Sequence, residues 1–393
     1  MRISQISAMI LCVLSCVVGA SVSAEDVLTW AELPELPPAS GMERHLGVAG
    51  PFAGISNDAL IVAGGANFPQ PVWESNKIWH DDIYVLVRDT GGETSTDKAY
   101  RWITGQTLDR PIAYGASVST SHGVVCIGGN DAARTYSDVF LLRWDRSQKK
   151  VIQKALPSLP KPLAYSSATR IGDTVYVAGG TTGLGLETAQ RNFWSLDLSQ
   201  IDVEDLEWKR LPAWPGESRA FAIAVAQQNG TSNCVYVISG RRMGAGAGEM
   251  QFLRDVYEFT PDNYEPGAYD VEADMYRGEV NPWRQRADVP RCVMAGTGIA
   301  VGQNDILVLG GADGSLYAIA DELKDDHPGF PKEALSYHTI TDSWKSAGPI
   351  PANHVTTTAL RWGTDTFNDP IIIPSGEIRP RVRSPKVWQV RAR

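Results

Sequence analysis

Ionisable side chains are concentrated in one short stretch near the C-terminus, directly after Ser375-Gly376. One carboxylate, Glu377, is followed by three guanidinium groups within seven residues, the last of them on Arg383. A carboxylate of this kind can accept a proton, and the planar fork of an arginine can hold an anion. The apolar run at residues 370–374 has the length of a buried strand, which places this charge beside the core. A solvated surface turn is the alternative interpretation.

Six repeats along the chain indicate which elements position this stretch. Each repeat contains an apolar strand that ends in a glycine pair or a near match, at spacings of 51 to 71 residues: Gly64-Gly65, Gly128-Gly129, Gly179-Gly180, Ser239-Gly240, Gly310-Gly311 and Ser375-Gly376. A second apolar strand follows most pairs, and a tryptophan comes late in most repeats, at Trp30, Trp208, Trp283 and Trp344. Glycine permits a tight turn where a Cβ atom would clash, and tryptophan fills the wedge between neighbouring sheets. Four short strands per repeat predict an all-β fold, a six-bladed kelch-type β-propeller.

The two ends of the chain predict how the ring of blades closes. Leu28-Thr29-Trp30 has the pattern of a fourth strand without earlier strands of its own, and residues 387–390 have that of a third strand without a fourth. We expect the N-terminal strand to pair into the last blade, because this leaves no unpaired inner edge. The prediction is one propeller domain over residues 25–393.

Residues 1–24 have the layout of a secretory signal peptide. A basic Arg2 is followed by an apolar run over residues 10–20 and by small residues up to Ala24. We expect cleavage near Ala24 and a periplasmic or secreted mature protein, with lipidation of Cys16 as the alternative. The apolar run is too short to predict a membrane span, and no other segment is apolar enough to cross a bilayer.

Charge and cysteine content argue against several classes of function. The chain has 36 Lys and Arg against 45 Asp and Glu, a net charge of −9, which disfavours nucleic acid and anionic membranes as partners. After the signal peptide only Cys126, Cys234 and Cys292 remain, too few for a disulfide scaffold. Cys126 and Cys234 lie in apolar strand patterns typical of buried thiols, and one disulfide stays possible. The histidines show no spacing typical of metal ligands, so we expect no metal.

Two segments resemble the bacterial N-acetylneuraminate epimerases, also called sialic acid mutarotases. Residues 47–68, with the motif Ala-Gly-Ile-Ser-Asn-Asp at 53–58, resemble a blade of that family. Residues 375–383 resemble a family loop in which a Glu is followed six residues later by an Arg. The blade precedes the loop here, which resembles the cyclically permuted branch of the family. Moving the termini of a closed ring leaves the spatial arrangement intact.

The resemblance implies a cofactor-independent periplasmic isomerase that exchanges the α and β anomers of an acidic sugar, and a possible homodimer. By position in the family loop, Glu377 would be the proton acceptor and Arg383 the contact to the substrate carboxylate. Asn67 and His80 in blade one, and Arg242 in blade four, are further candidates for substrate binding because loops after the glycine pairs gather on one face of a propeller.

Other interpretations stay open at this point. Arg379 and Arg381 are alternates to Arg383, and Glu377 and Arg383 can form a salt bridge that only fixes the loop. A non-catalytic kelch propeller that binds a glycan or a protein through the same loops is the main alternative function. A copper oxidase on the same scaffold is a weaker one, since it needs a Tyr, Cys and His ligand set. The sequence leaves open which acidic sugar is bound.

Overall fold

The computed structural model describes residues 28–38, 42–89, 99–202, 206–244, 248–363 and 368–392. The predicted signal peptide, its cleavage site near Ala24 and Cys16 lie outside the described residues. The domain boundary at residue 25 therefore stays a prediction.

The regular secondary structure of the described chain consists almost entirely of short antiparallel strands. In chain order they are β1 (Leu28–Leu33), β2 (Phe52–Ser56), β3 (Ala59–Ala63), β4 (Ala66–Asn67), β5 (Ile78–Trp79), β6 (Asp82–Asp89), β7 (Ala99–Thr107), β8 (Ala116–Thr120), β9 (Gly123–Ile127), β10 (Val139–Asp145), β11 (Lys150–Leu156), β12 (Ser167–Ile171), β13 (Thr174–Ala178), β14 (Phe193–Asp197), β15 (Lys209–Leu211), β16 (Ile223–Gln228), β17 (Asn233–Met243), β18 (Met250–Phe259), β19 (Tyr269–Asp270), β20 (Met275–Tyr276), β21 (Trp283–Arg286), β22 (Thr297–Val301), β23 (Asp305–Leu309), β24 (Glu333–His338), β25 (Ser343–Pro349), β26 (Leu360–Arg361), β27 (Ile371–Pro374), β28 (Glu377–Arg379), β29 (Val382–Arg383) and β30 (Val387–Ala392).

Helical structure is limited to a few single turns. The α-helical turn is α1 (Ala320–Leu323), and the 3₁₀ turns are Leu186–Thr188, Leu198–Gln200, Pro261–Asn263, Tyr317–Ile319 and Lys324–Asp326. In the part of the chain that the structure describes, no helix has the length and apolar character needed to span a membrane.

Six four-stranded sheets form the blades of the propeller. Their members are β2, β3, β6 and β7 in blade one; β8 to β11 in blade two; β12 to β15 in blade three; β16, β17, β18 and β21 in blade four; β22 to β25 in blade five; and β26, β27, β30 and β1 in blade six. The innermost strands surround a central channel of about 410 Å³. The predicted all-β, six-bladed architecture is confirmed.

The ring closes through the N-terminal strand, as predicted. β1 pairs antiparallel with β30 from Leu28 opposite Ala392 to Leu33 opposite Val387. Trp30 packs edge-on against another indole of the same blade, with 5.9 Å between ring centroids. Closure leaves β30 paired on both sides, so blade six is held by both ends of the chain.

The apolar core is divided into wedges between neighbouring blades, and the repeated tryptophans lie in these wedges. Three of the four also donate their indole N–H to a backbone carbonyl of the preceding blade: Trp208 to Pro157 at 2.9 Å, Trp283 to Pro212 at 2.6 Å and Trp344 to Ala287 at 2.9 Å. The predicted packing role thus comes with a hydrogen bond that joins adjacent sheets.

A closed ring of backbone hydrogen bonds joins all six blades around the axis. In each blade, a single residue shortly before the inner strand donates its N–H to the carbonyl of the equivalent residue in the preceding blade. The N···O distances are 2.6 to 2.9 Å. The six residues have φ between 54° and 63°: Gly50, Tyr114, Tyr165, Phe221, Ala295 and Thr356. Five of them are not glycine, although left-handed backbone is unfavourable for other residues.

The three described cysteines, Cys126, Cys234 and Cys292, are buried and free. The disulfide left open by the sequence is therefore not formed among them.

A matched pair of glycines in blade three tests the close approach of neighbouring blades. Gly172 has φ +58°, and a Cβ atom at this position would have no neighbour within 4 Å. Gly172→Ala should therefore cost only the strain of left-handed backbone, about 1 kcal/mol of unfolding free energy. Gly179 has φ +63°, but a Cβ there would lie 2.6 Å from the carbonyl oxygen of Arg219. We expect Gly179→Ala to cost about 1–3 kcal/mol more, measured by urea unfolding. Equal losses in the two variants would contradict the close approach.

Candidate active site

Glu377 and Arg383 face each other across a two-stranded hairpin at one mouth of the ring. They are paired residues of β28 and β29, and Glu377 Oε1 lies 3.4 Å from Arg383 Nη1. The backbone N–H of Arg381, which has φ +65°, donates to the same carboxylate oxygen at 3.0 Å. The structure thus brings together the two residues on which the sequence-based site was centred.

The backbone on both sides of Glu377 is held by blade six. Glu377 exchanges both backbone hydrogen bonds with Val355, each 2.9 Å long. His354 Nδ1 donates to the carbonyl of Ser375 at 2.6 Å. The Ser375 hydroxyl accepts from the N–H of Val48 at 2.8 Å, which ties the start of the hairpin to blade one. With its main chain fixed in this way, the Glu377 carboxylate has a defined position at the mouth.

Arg383 is a buried cation with unused hydrogen-bonding capacity. Its side chain is 3% exposed, and its Nε and Nη1 have no hydrogen-bond partner among the described residues. Burial acts to lower its pKa, but the Glu377 carboxylate and the hydroxyl of Tyr114 raise that pKa above its usual value. A guanidinium that stays charged and keeps free donors is suited to bind an anion.

The floor of the mouth is aromatic. The rings of Tyr114 and Tyr165 are 4.9 Å apart, and those of Tyr165 and Phe221 are 4.5 Å apart and nearly parallel. These are three consecutive members of the hydrogen-bonded ring described above. A cation lies over each end of this aromatic floor: Lys77 Nζ is 4.9 Å from the ring centre of Tyr114, and the Arg241 guanidinium is 4.5 Å from that of Phe221.

Lys77 comes from the long insertion that follows the first glycine pair. Its ammonium also lies 5.4 Å from the ring of Trp79 and 5.8 Å from that of Phe68. Burial lowers the pKa of Lys77; nearby Tyr165 opposes this effect, and the guanidinium of Arg383 adds to it. The Phe68 ring is shared with Arg383, whose guanidinium lies 5.0 Å from its centre.

Of the two adjacent arginines in blade four, Arg241 belongs to the site and Arg242 does not. Arg241 also lies 5.8 Å from the ring of Tyr317, and its Nε is buried without a hydrogen-bond partner among the described residues. Burial lowers the pKa of Arg241. Arg242 is the residue we expected from the sequence, but it forms an ion pair with Glu217. Neighbouring residues of a strand point to opposite faces, which explains why one joins the site and the other does not.

Asn67 and His80 form a pair beside the site. Asn67 Nδ2 donates to the carbonyl of Gly47 at 3.0 Å, and its Oδ1 lies 3.0 Å from His80 Nε2. Burial lowers the pKa of His80. Asn67 also lines, with Arg383, a second cavity of about 490 Å³ on the outer side of the hairpin. The contacts of both residues brace the blade-one loop, and neither residue is placed against the Glu377 carboxylate.

An apolar cavity adjoins the other side of the hairpin. It has a volume of about 460 Å³ and includes Leu316, Tyr317, Phe330 and Pro380 in its lining. Tyr317 connects it to the site, since the same ring lies beside the Arg241 guanidinium. The mouth of the propeller therefore combines a charged centre with an apolar side chamber.

The charges at this mouth are unbalanced. Arg379 is neutralised by Asp325 at 2.7 Å, but Lys77, Arg241 and Arg381 form no ion pair within the described ranges. Together with Arg383 they face a single carboxylate, that of Glu377. Such an excess of positive charge in a concave, partly buried site favours a negatively charged ligand. No group of three or more His, Cys, Asp or Glu side chains in the described part of the chain is arranged to hold a metal ion.

The fold defines the class of protein, a six-bladed propeller, and the excess of positive charge at one end of its ring marks a candidate binding site. Comparison with known proteins narrows the class. The model of the family described as N-acetylneuraminate epimerase matches residues 16–151. The predicted resemblance to this family is confirmed over that part of the chain, which carries Lys77 and Tyr114 but not the hairpin.

Individual relatives give the same result. The N-acetylneuraminate epimerase of Brucella melitensis biotype 1 is 34% identical over 128 residues, which are 30% of this chain and 30% of that protein. The N-acetylneuraminate epimerase of Vibrio cholerae serotype O1 is 35% identical over 126 residues, 31% of this chain and 32% of that protein. The chain thus matches only about a third of the length of these curated relatives. A solved structure, "Structure of YjhT", superposes with a TM-score of 0.57 at 15% identity, covers 89% of this chain and 94% of that one, and shares the fold.

Two histidines, the buried His354 beside the hairpin and the partly buried His45 in blade one, make folding stability depend on pH. Burial lowers the pKa of His354 to about 4, and burial together with His80 lowers that of His45 to about 4. The unfolded chain takes up these protons near pH 6.5. Their contribution is therefore present above pH 6.5 and is lost as the pH falls towards 4, by about 1.4 kcal/mol per pH unit for each histidine.

We expect His354→Gln to remove the contribution of one histidine, so that the unfolding free energy of the variant depends less steeply on pH. Urea unfolding of wild type and variant at pH 7.5, 6.0 and 5.0 measures it. If the unfolding free energy falls equally in both proteins between pH 6.0 and 5.0, His354 is not a buried neutral histidine.

Proposed function

We propose that the protein is a mutarotase that exchanges the α and β anomers of N-acetylneuraminate or a closely related acidic sugar by acid–base catalysis. The observation that carries the proposal is the pairing of the Glu377 carboxylate with the unsatisfied Arg383 guanidinium, 3.4 Å apart, in a mouth with excess positive charge. The anomeric carbon of a sialic acid bears both a carboxylate and a hydroxyl group. Two adjacent side chains, one cationic and one basic, match these two groups.

Each side chain has a distinct task in this reaction. The Nε and Nη1 donors of Arg383 make no hydrogen bond in the described structure, although Nη1 lies 3.4 Å from Glu377; they hold the sugar carboxylate and so orient the anomeric carbon. The Glu377 carboxylate accepts the proton of the anomeric hydroxyl, and the bond between the anomeric carbon and the ring oxygen breaks as the ketone forms. Rotation of the open chain and reclosure on the other face of the ketone give the other anomer. The proton returns from Glu377, so nothing is consumed.

The remaining surface of the site suits the rest of such a sugar. The aromatic floor of Tyr114, Tyr165 and Phe221 offers an apolar surface for the carbon-bound hydrogens of a sugar. The apolar cavity beside Tyr317 has room for an acyl substituent, such as the acetyl group of N-acetylneuraminate. The names of the relatives support the same substrate.

The setting of the enzyme is part of the proposal. We infer a periplasmic or secreted location from the predicted signal peptide at residues 1–24. We infer that no cofactor is needed, because ring opening and reclosure have no net co-reactant. The homodimer implied by the family resemblance stays a prediction that light scattering of the purified protein can measure.

The α anomer of N-acetylneuraminate, freshly released by a sialidase, provides the direct test. We expect the wild type to accelerate its equilibration, followed by NMR against the spontaneous rate. Glu377→Gln keeps the shape of the side chain but removes its basicity, so the acceleration should fall by about 10²–10⁴-fold. Circular dichroism and sugar affinity serve as controls for folding and binding. A wild type that binds the sugar without accelerating its equilibration would support the non-catalytic propeller instead.

Arg241 and Arg242 offer a matched pair for the anion-binding role of the mouth. Arg241→Gln removes an unpaired cation from the site, and we expect the KM for the sugar to rise roughly 10–100-fold, the value of a charge-assisted contact. Arg242→Gln removes a cation that is already paired with Glu217, and KM should change less than about twofold, as for a surface ion pair. Both values follow from the NMR assay at several sugar concentrations. A larger effect at Arg242 would refute the assignment of the two faces of β17.

A further inference from the structure

We propose that Lys77 is the proton donor to the ring oxygen, and thus the catalytic acid that complements Glu377. The inference rests on the proposed mutarotase function and deepens it. When Glu377 takes the anomeric proton, the ring oxygen becomes the leaving group and needs a proton of its own. The question is which group at the mouth can supply it.

Most groups at the mouth are poor donors. The guanidinium groups of Arg241 and Arg383 hold their protons too firmly to give one up at neutral pH. Burial raises the pKa of Tyr114, whose hydroxyl is also engaged by Arg383, and burial raises the pKa of Tyr165. Burial lowers the pKa of His327, with the Arg379 guanidinium adding to the effect, so this ring is mainly neutral at pH 7 and carries no acidic proton of the right strength.

Lys77 differs from all of these in its surroundings. Its ammonium is held by three aromatic ring faces, those of Phe68, Trp79 and Tyr114, at 4.9 to 5.8 Å. It has no carboxylate partner at ion-pair distance in the described part of the chain, so no side-chain ion pair competes for its three N–H donors. Ring faces stabilise the cation without accepting its protons in strong hydrogen bonds. The donors therefore remain available to a ligand.

The position of Lys77 fits the geometry of the reaction. The Lys77 ammonium and the Arg383 guanidinium both lie near the Phe68 ring, at 5.8 Å and 5.0 Å from its centre. Both Lys77 and Glu377 are thus neighbours of the group that holds the sugar carboxylate. The ring oxygen and the hydroxyl are attached to the same anomeric carbon as that carboxylate. With the sugar carboxylate on Arg383, Lys77 can therefore approach the ring oxygen while Glu377 approaches the anomeric hydroxyl.

The proton balance closes over one turnover. In ring opening, the anomeric hydroxyl proton moves to Glu377, the bond from the anomeric carbon to the ring oxygen breaks with its electron pair on oxygen, and Lys77 protonates that oxygen. In reclosure, the resulting hydroxyl attacks the other face of the ketone, Lys77 takes its proton back, and Glu377 protonates the new anomeric oxygen. Acid and base return to their starting states.

The charges around Lys77 favour this role. The titratable or charged groups that face it are Tyr114 from blade two, Tyr165 from blade three and, on the hairpin, Glu377, Arg381 and Arg383. Burial is the largest influence and lowers the pKa of Lys77, which makes the ammonium a stronger acid than that of an exposed lysine. The bound sugar carboxylate would offset the nearby guanidinium charges and keep Lys77 protonated until the ring oxygen develops negative charge.

Lys77→Arg is the decisive variant, because it keeps the positive charge but removes the proton that can be transferred. We expect kcat in the NMR assay to fall by about 100-fold or more while KM stays within about twofold. After subtraction of the spontaneous rate, the rate of the wild type should decline with rising pH as Lys77 loses its proton. The midpoint of this decline should lie at a pH below about 10.5. The residual rate of Lys77→Arg should lack this decline. Lys161→Arg, at an exposed loop position, is the matched control and should retain full activity.

Each outcome decides between the possible roles. Full kcat in Lys77→Arg would reduce Lys77 to an electrostatic contact and overturn the inference, while the proposed function would stand. A wild-type rate without an alkaline decline would overturn it as well, and this measurement does not depend on the folding of any variant. A wild type without acceleration of any acidic sugar would refute the proposed function, and the inference with it.

Discussion

The closed ring of six backbone hydrogen bonds around the axis is the constraint on which the rest of the structure depends. Each bond requires its residue to adopt left-handed backbone, at a cost of roughly 1–2 kcal/mol for every residue that is not glycine. The hydrogen bonds offset this strain, because each carbonyl in the ring accepts an N–H from the next blade. The same conformation brings Tyr114, Tyr165 and Phe221 side by side. The element that joins the blades is thus also the floor of the candidate active site.

The cations on this floor are held in a way that leaves them available. Aromatic faces stabilise Lys77 and Arg241 but satisfy few of their hydrogen-bond donors, and Arg383 keeps two buried nitrogens without a partner among the described residues. Among the described residues only Arg383 has a carboxylate at ion-pair distance, that of Glu377, and a buried cation without a partner lowers the free energy of unfolding. Their arrangement makes sense when an anionic ligand completes it. Departures from local stability of this kind are expected at functional sites.

The sequence predicted the parts of the structure that repeat or that lie in one segment. The glycine pairs predicted six blades, and the chain ends predicted the pairing of β1 with β30. The charged segment that forms the hairpin led to Glu377 and Arg383 as candidate site residues. The sequence did not predict Lys77, because that residue lies in an insertion without a counterpart in the other blades. The choice of Arg242 over Arg241 differs from the placement of the two side chains, Arg242 beside Glu217 and Arg241 over Phe221, for a local reason. A register shift at Ser239 interrupts β17, and a bulge reverses the side-chain alternation on which such a choice depends.

The site depends on closure of the whole ring rather than on any one blade. Lys77 comes from blade one and Glu377 from blade six, so residues far apart in the chain become neighbours only when the last blade meets the first. Ser375 secures this junction through its hydrogen bond with Val48, and β1 completes the sheet that carries the hairpin. Where the chain begins and ends matters little in such a ring, provided that the junction forms. The permuted order that the sequence resemblance implies would therefore be compatible with an unchanged site, because the geometry is set by the ring and not by the order of the chain.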